Sequence, residues 1–158
     1  MMIESLCIRR SRRRDGASRR KAGENAFVRR FVVPGADGEG LPLRGMRFAV
    51  KDNMSVQGQP LSNGCAAWAE RRPGGAGSGE ASTALCVERV LAAGATLEGH
   101  TCMDQLAYSL QGNETDHPTP VNARYPGMLP GGSRCVRASV LRAVAAPCMP
   151  DSVRLLLV

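Results

Sequence analysis

Two short apolar stretches, separated by one amphipathic stretch, constrain this sequence more than any other feature. Met46–Val50 is an apolar run that ends at a single lysine, and Ala95–Leu97 is a second apolar run. Between them, apolar residues recur near helical spacing from Ala81 to Ala93, and Gly94 is suited to end a helix. The order strand, helix, strand predicts parallel pairing of the two strands and therefore an α/β fold.

The flanking segments extend this prediction on both sides. Phe27–Val33 is a short apolar piece before a loop rich in Pro and Gly, and Asp104–Leu110 is predicted to form a second helix. The stretch Leu61–Gly79 is predicted to be a loop, with Arg-Arg-Pro-Gly-Gly as its clearest breaker. A sheet of so few strands leaves its edges open, so we expect the folded part to be incomplete.

The net charge of +7 belongs to the N-terminal end of the chain. Residues 1–30 hold nine Arg and one Lys against three acidic side chains, and the remaining residues balance to zero. We therefore predict that residues 1–24 form a disordered basic arm, since clustered like charges repel. The alternatives are a phosphate-binding arm and an organellar targeting segment. Without an apolar stretch long enough to span a membrane, the sequence predicts a cytoplasmic protein.

The cysteines and histidines give no metal-binding pattern. Six cysteines are scattered without a Cys-x-x-Cys pair, so they are predicted to be free thiols, several of them packed as small apolar side chains. His100 and His117 have no Cys or His neighbour in the sequence and are not predicted to be ligands.

Two positions are suited to chemistry. Lys51 directly follows the apolar run in FAVKDN, and desolvation at the end of a buried strand favours the neutral amine, which can act as a base. Ser133 follows two glycines in PGGS, where the backbone allows close approach to a neighbouring group. Each position considered alone has a structural alternative: Lys51 could be a surface lysine, and PGGS could be an ordinary turn.

Three segments in register resemble the amidase-signature family across roughly residues 41–133: LPLRGMRFAVKDNMSVQG, ALCVERVLAAGATLEGHTCMDQLAYSL and TPVNARYPGMLPGGS. Within that family the residues of these segments, together with AFVRRFVVP, are most similar to those of indole-3-acetamide hydrolase-like amidases. The resemblance implies the N-terminal part of the amidase-signature fold, a mixed sheet flanked by helices. Residues 25–133 would form this part of the amidase domain.

The resemblance also implies a mechanism with a serine nucleophile, a bridging serine in a cis peptide conformation and a lysine. Lys51 matches the lysine of the family's AVKD context, and Ser133 matches the bridging serine, the first after PGG. The nucleophile would pass its proton through Ser133 to Lys51 and attack the amide carbonyl. The implied substrate is a small-molecule amide, and the resemblance implies no metal or organic cofactor. Neither nucleic acid nor a membrane is an expected partner.

The sequence departs from the family after Ser133. The family's nucleophile lies in a D-x-G-G-S loop, but the corresponding place here falls near Leu157, and no such loop occurs in the 158 residues. We therefore expect residues 134–158 to be a divergent tail produced by a reading-frame shift or a gene truncation just after Ser133, and the chain to be inactive. The alternatives are a genuine short protein, a non-catalytic remnant or interaction module, and a relative of the A subunit of glutamyl-tRNA amidotransferase.

A smaller departure lies upstream of Ser133. His117-Pro118 stands where the family usually has Tyr-Gly. Since Pro fixes φ and removes a hydrogen-bond donor, this pair is expected to stiffen a loop on the substrate side.

Overall fold

A computed structural model of the chain describes residues 25–108, 111, 115–122, 128–129 and 155–157. Its elements, in chain order, are β1 (Phe27–Val33), β2 (Arg47–Lys51), α1 (Ala66–Glu70), α2 (Leu85–Ala92), β3 (Thr96–Thr101), a 3-10 helix (Gln105–Ala107) and β4 (Leu155–Leu157). No helix within these ranges has the length and apolar content needed to cross a membrane.

The four strands form one mixed sheet in the order β1-β3-β2-β4. β2 and β3 are parallel, with Lys51 opposite Thr101 at their carboxyl ends, and α2 lies between them in the chain. β1 runs antiparallel to β3, and β4 runs parallel to β2. The predicted α/β fold, with parallel pairing around the helix that Gly94 follows, is confirmed.

The core is built on β2 and α2. Phe48, Ala49 and Val50 are all fully buried. Because successive side chains of a strand point to opposite faces of the sheet, both faces of β2 are covered. Val87 of α2 and Leu97 of β3 pack with Phe48 and Val50 in one apolar cluster. Burial on both faces therefore explains why the three residues before Lys51 are all apolar.

Two predicted elements were wrong in part. The predicted loop Leu61–Gly79 contains the five-residue helix α1, in which one residue, Ala69, is buried. A helix of five residues is too short to show helical periodicity in the sequence. The predicted helix Asp104–Leu110 is a 3-10 helix of three residues, and residues 109–110 lie outside the described ranges. Positive φ angles at Leu106 and Ala107, 51° and 61°, prevent its continuation as an α-helix.

Strand β3 is longer than the sequence indicated. The predicted strand was Ala95–Leu97, whereas β3 begins one residue later, at Thr96, and continues through Gly99 and His100 to Thr101; its last five residues are all buried. A run containing glutamate, glycine and histidine does not read as a buried strand, because polar side chains are seldom buried without partners. The partners of His100 lie far away in the sequence, so no local signal reveals them.

Gly99 is required where β1 crosses close to β3. Its φ is +134°, and a Cβ atom at this position would lie 2.3 Å from the backbone oxygen of Arg29. The pairing of β1 with β3 shifts register next to the Arg30–Gly99 pair. A side chain here would therefore both strain the backbone and force the two strands apart.

We expect Gly99→Ala to lower the free energy of unfolding by about 1–3 kcal/mol, because the new Cβ demands a strained backbone and displaces β1. The urea midpoint, followed by fluorescence of the single tryptophan, Trp68, measures the change. Gly77→Ala is the matched control, since Gly77 is exposed and nothing lies within 4 Å of the place that its Cβ would take. Equal midpoints for the two variants would contradict this account of β1 and β3.

Candidate functional site

Lys51 lies where a ligand site is expected in an α/β sheet. It is the last residue of β2, it is half-buried, and it pairs in register with Thr101 at the end of the parallel strand β3. Ligands of open α/β sheets bind outside the carboxyl ends of such strands. The backbone carbonyl of Lys51 accepts a hydrogen bond from the Met54 amide at 3.0 Å, so the chain turns directly after it.

Asp52 fixes this turn with its backbone and its side chain. Its amide donates to the Thr101 carbonyl at 3.2 Å, and its own carbonyl accepts from the Asn63 amide at 3.0 Å. The side chain is 1 % exposed, and its Oδ2 accepts hydrogen bonds from both the backbone amide (3.0 Å) and the hydroxyl of Ser62. A buried carboxylate held by several donors gives a rigid junction between β2 and the loop at Ser62.

His100 packs against the same carboxylate from β3. Its side chain is completely buried, with Nε2 3.1 Å from the Met54 carbonyl and Nδ1 3.6 Å from Oδ1 of Asp52. Burial lowers the pKa of His100 below 6.5, and the Asp52 charge opposes that shift only in part. The neutral imidazole therefore donates its Nε2 hydrogen to the Met54 carbonyl.

His117 completes the group from a distant part of the chain. Its Nε2 lies 3.0 Å from the hydroxyl oxygen of Ser62, the same hydroxyl that donates to Asp52. Asp52, Ser62, His100 and His117 thus form a strand-end cluster directly beside Lys51. Two hydrogen bonds, and the 3.6 Å approach of His100 Nδ1 to Oδ1 of Asp52, connect its four side chains.

The segment that carries His117 is bound closely to the loop at Ser62. The Asp116 amide donates to the Gly64 carbonyl at 3.1 Å, and Asp116 Oδ2 accepts from the Ala66 amide at 2.7 Å. Asp116 Oδ1 accepts from Gln105 Nε2 at 2.9 Å. These bonds hold residues 115–117 against the loop between β2 and α1.

Cys102, the buried thiol nearest in sequence to this cluster, is not poised as a nucleophile. It is 2 % exposed, and burial raises the pKa of its thiol, which favours the unreactive protonated form.

Away from the strand-end cluster, Arg47 of β2 forms an ion pair with Glu98 of β3. Burial lowers the pKa of Arg47 below its ordinary value.

The two residues singled out for catalysis have different outcomes. Lys51 lies at the strand end that its sequence context predicted, whereas Ser133 lies outside the described residues, so their convergence stays a prediction. Within the described ranges no three His, Cys, Asp or Glu side chains are grouped so as to hold a metal ion.

Sequence reasoning did not identify the strand-end cluster. Asp52 and His117 are 65 positions apart in the chain, and their connection through Ser62 depends on the path of two loops. The one available signal was an acidic residue placed directly after a buried strand, where a carboxylate needs partners.

Comparison with known proteins assigns the chain to a family. The family model described as Amidase matches residues 32–146, and the chain belongs to the amidase family. The match begins within β1, includes Lys51 and the strand-end cluster, and continues past Ser133 into the stretch for which divergence was expected.

Individual relatives agree with this assignment. Amidase 1 of Oryza sativa subsp. japonica is 42 % identical over 108 residues, which are 68 % of this chain and 24 % of that protein. The A subunit of the glutamyl-tRNA(Gln) amidotransferase of Halobacterium salinarum is 38 % identical over 121 residues, 73 % of this chain and 26 % of that protein. The chain spans about a quarter of the length of these curated relatives.

Solved structures show the same fold. Allophanate hydrolase of Kluyveromyces lactis superposes with a TM-score of 0.60 at 25 % sequence identity, over 79 % of this chain and 22 % of that one. The mixed sheet with its helices therefore corresponds to a portion of the amidase fold.

The buried neutral His100 makes stability depend on pH. Because its pKa is lowered on folding, the unfolded chain binds the proton more readily, and stability present above pH 6.5 is lost as pH falls through the folded pKa. We expect the free energy of unfolding to decrease below pH 6.5 by at most about 1.4 kcal/mol per pH unit from this group.

Urea unfolding at several pH values between 7.5 and 5.5 measures the effect. His100→Asn removes the titrating group, so its stability should change less over this range, whereas His117→Gln keeps His100 and should retain the slope. A wild-type protein as stable at pH 5.5 as at pH 7.5 would show that His100 is not held neutral by burial.

Proposed function

We propose that this chain forms the N-terminal portion of an enzyme that hydrolyses the carbon–nitrogen bond of small linear amides, with Lys51 as the general base. The observation that carries the proposal is the position of Lys51, half-buried at the carboxyl end of β2 and inside the range that the amidase family matches. A lysine in that place is next to the region where α/β enzymes bind their substrates.

The proposed chemistry uses two residues of this chain and one serine from outside it. The serine nucleophile gives its proton to the hydroxyl of Ser133, which passes a proton to the neutral amine of Lys51. The resulting alkoxide attacks the amide carbonyl, and the tetrahedral intermediate expels the amine, which takes a proton back from the Lys51 ammonium. Water then hydrolyses the acyl-enzyme, releasing the carboxylic acid and restoring the serine.

The substrate class is supported by the relatives rather than by a pocket. Similarity to Amidase 1 of Oryza sativa, at 42 % identity, favours a free amide as substrate. A second candidate follows from the 38 % identity to the archaeal amidotransferase protein: the same lysine would act in the A subunit of a tRNA-dependent amidotransferase. Release of ammonia from an aryl-acetamide, compared with release from glutamine in the presence of partner subunits, discriminates the two.

Substitution of Lys51 tests its role as base in a longer protein that joins this chain to the remaining part of an amidase. We expect Lys51→Ala to lower kcat by roughly 10²–10⁴-fold, the usual contribution of a general base, with a much smaller change in KM. Lys51→Arg should lose as much, because a guanidinium is not deprotonated.

Lys21→Ala is the matched control, because Lys21 and Lys51 are the two lysines of the chain. Ammonia release at saturating aryl-acetamide measures kcat for each variant. Wild-type turnover by Lys51→Ala would remove Lys51 from the mechanism.

The isolated 158-residue polypeptide provides a separate test. Since it contains no D-x-G-G-S loop, we expect no steady release of ammonia from an aryl-acetamide. We also expect it to bind a hydrophobic dye, because Val32, Tyr108 and Met128 are 66 % or more exposed. Steady-state ammonia release would contradict the proposal and would make Ser139 and Ser152 the first candidate nucleophiles to substitute.

A further inference from the structure

We propose that Asp52, Ser62 and His117 form a hydrogen-bonded latch that positions Lys51 relative to the segment 115–122, from which the chain continues toward Ser133. The three are positioning residues, because they act on Lys51 through the turn that follows it. The proposal rests on the proposed function, in which Lys51 and Ser133 must be held at a fixed separation.

The direction of the hydrogen bonds follows from the chemistry of the three groups. An ionised carboxylate only accepts, so the Ser62 hydroxyl donates its one hydrogen to Oδ2 of Asp52. The Ser62 oxygen is then the acceptor for Nε2–H of His117, 3.0 Å away. The two hydrogen bonds of the latch are therefore donated in the same direction: the imidazole donates to the hydroxyl, and the hydroxyl donates to the buried carboxylate.

The inner end of the latch is rigid. Asp52 is covalently next to Lys51, and its buried carboxylate and both backbone groups are hydrogen-bonded to Ser62, Asn63 and Thr101. Rotation of the turn after Lys51 would break several of these bonds at once. Leaving a buried carboxylate without hydrogen-bond donors costs free energy, and this cost keeps the turn in one conformation.

The outer end of the latch is held by a well-anchored segment. Beyond His117, the Thr119 carbonyl accepts from Asn25 Nδ2 at 3.3 Å, and the Pro120 side chain is fully buried. Further on, Asn122 Nδ2 donates to the Leu129 carbonyl at 3.1 Å, four residues before Ser133. The latch is thus a side-chain connection between the Lys51 turn and residues 115–122, the segment leading toward Ser133.

The residue at the outer end of the latch, His117, is followed directly by Pro118. An imidazole nitrogen donor in this position, followed by a residue with fixed φ, gives the contact with Ser62 a defined direction.

Chemical labelling of the two lysines tests the latch without any catalysis. The 158-residue chain is treated with a limiting amount of acetic anhydride at one fixed pH, and the ratio of acetylation at Lys51 to that at Lys21 is measured by mass spectrometry. We expect Ser62→Ala and His117→Phe each to raise this ratio by roughly fivefold, the factor for loss of one hydrogen bond. His117→Gln, whose amide nitrogen can replace Nε2 as donor, should keep the wild-type ratio.

Two further comparisons separate positioning from general loosening. Ser78→Ala removes a half-buried serine that bonds the Pro73 carbonyl outside the latch, so it should leave the ratio unchanged. The double variant Ser62→Ala/His117→Phe should match Ser62→Ala alone, because both changes break the same connection. The chain has two histidines, so we expect two separate sets of imidazole NMR signals, and Ser62→Ala should shift the Nε2 resonance of His117.

The latch is overturned if Ser62→Ala leaves both the labelling ratio and the His117 resonance unchanged. It is also overturned if Ser78→Ala raises the ratio equally, or if the effects of Ser62→Ala and His117→Phe add. Should Ser62→Ala fail to fold by Trp68 fluorescence, the pair His117→Phe and His117→Gln carries the test. Because labelling reports the position of Lys51 and not turnover, a failed latch leaves the catalytic role of Lys51 to its own experiment.

Discussion

The buried carboxylate of Asp52 is the constraint on which the described part of this molecule depends. A charge that is 1 % exposed must be surrounded by donors, and these come from the Ser62 loop and, through its hydroxyl, from His117. His100 of β3 lies against the other oxygen. One side chain thereby connects the ends of two parallel strands with two loops, and loss of its partners would leave an uncompensated buried charge, which is strongly destabilising.

The chemistry proposed for Lys51 follows from the same constraint. Lys51 ends a strand that is buried on both faces, and a hydrogen-bonded turn follows it directly. The Lys51 side chain therefore extends from a backbone that is held in place. Catalytic groups must be held within fractions of an ångström to be effective, and sites on strands are held better than sites on flexible loops. The chain belongs to the amidase family, and under the proposed function Lys51 is the base of the amide hydrolysis.

Sequence patterns predicted the strands and the helix that local residue order determines. They missed the buried polar residues and side-chain contacts that depend on residues distant in the chain. The apolar run before Lys51 and the helix before Gly94 were sufficient to predict parallel β2 and β3. The extension of β3 through His100 to Thr101 was missed, because burial of polar residues depends on partners that the chain supplies elsewhere. α1 was too short for periodicity, and the connection of His117 to Asp52 depends on loop geometry. The role of Ser133 came from family resemblance alone and stays a prediction.

The most direct test of the account is the distance between Nζ of Lys51 and the hydroxyl oxygen of Ser133 in a crystal structure of the protein containing this chain. The account predicts a separation of about 3 Å, or two hydrogen bonds through one ordered water, because the proton must pass between these groups. A well-ordered Ser133 lying well beyond about 4 Å from Lys51, with no bridging water, would contradict the proposed relay.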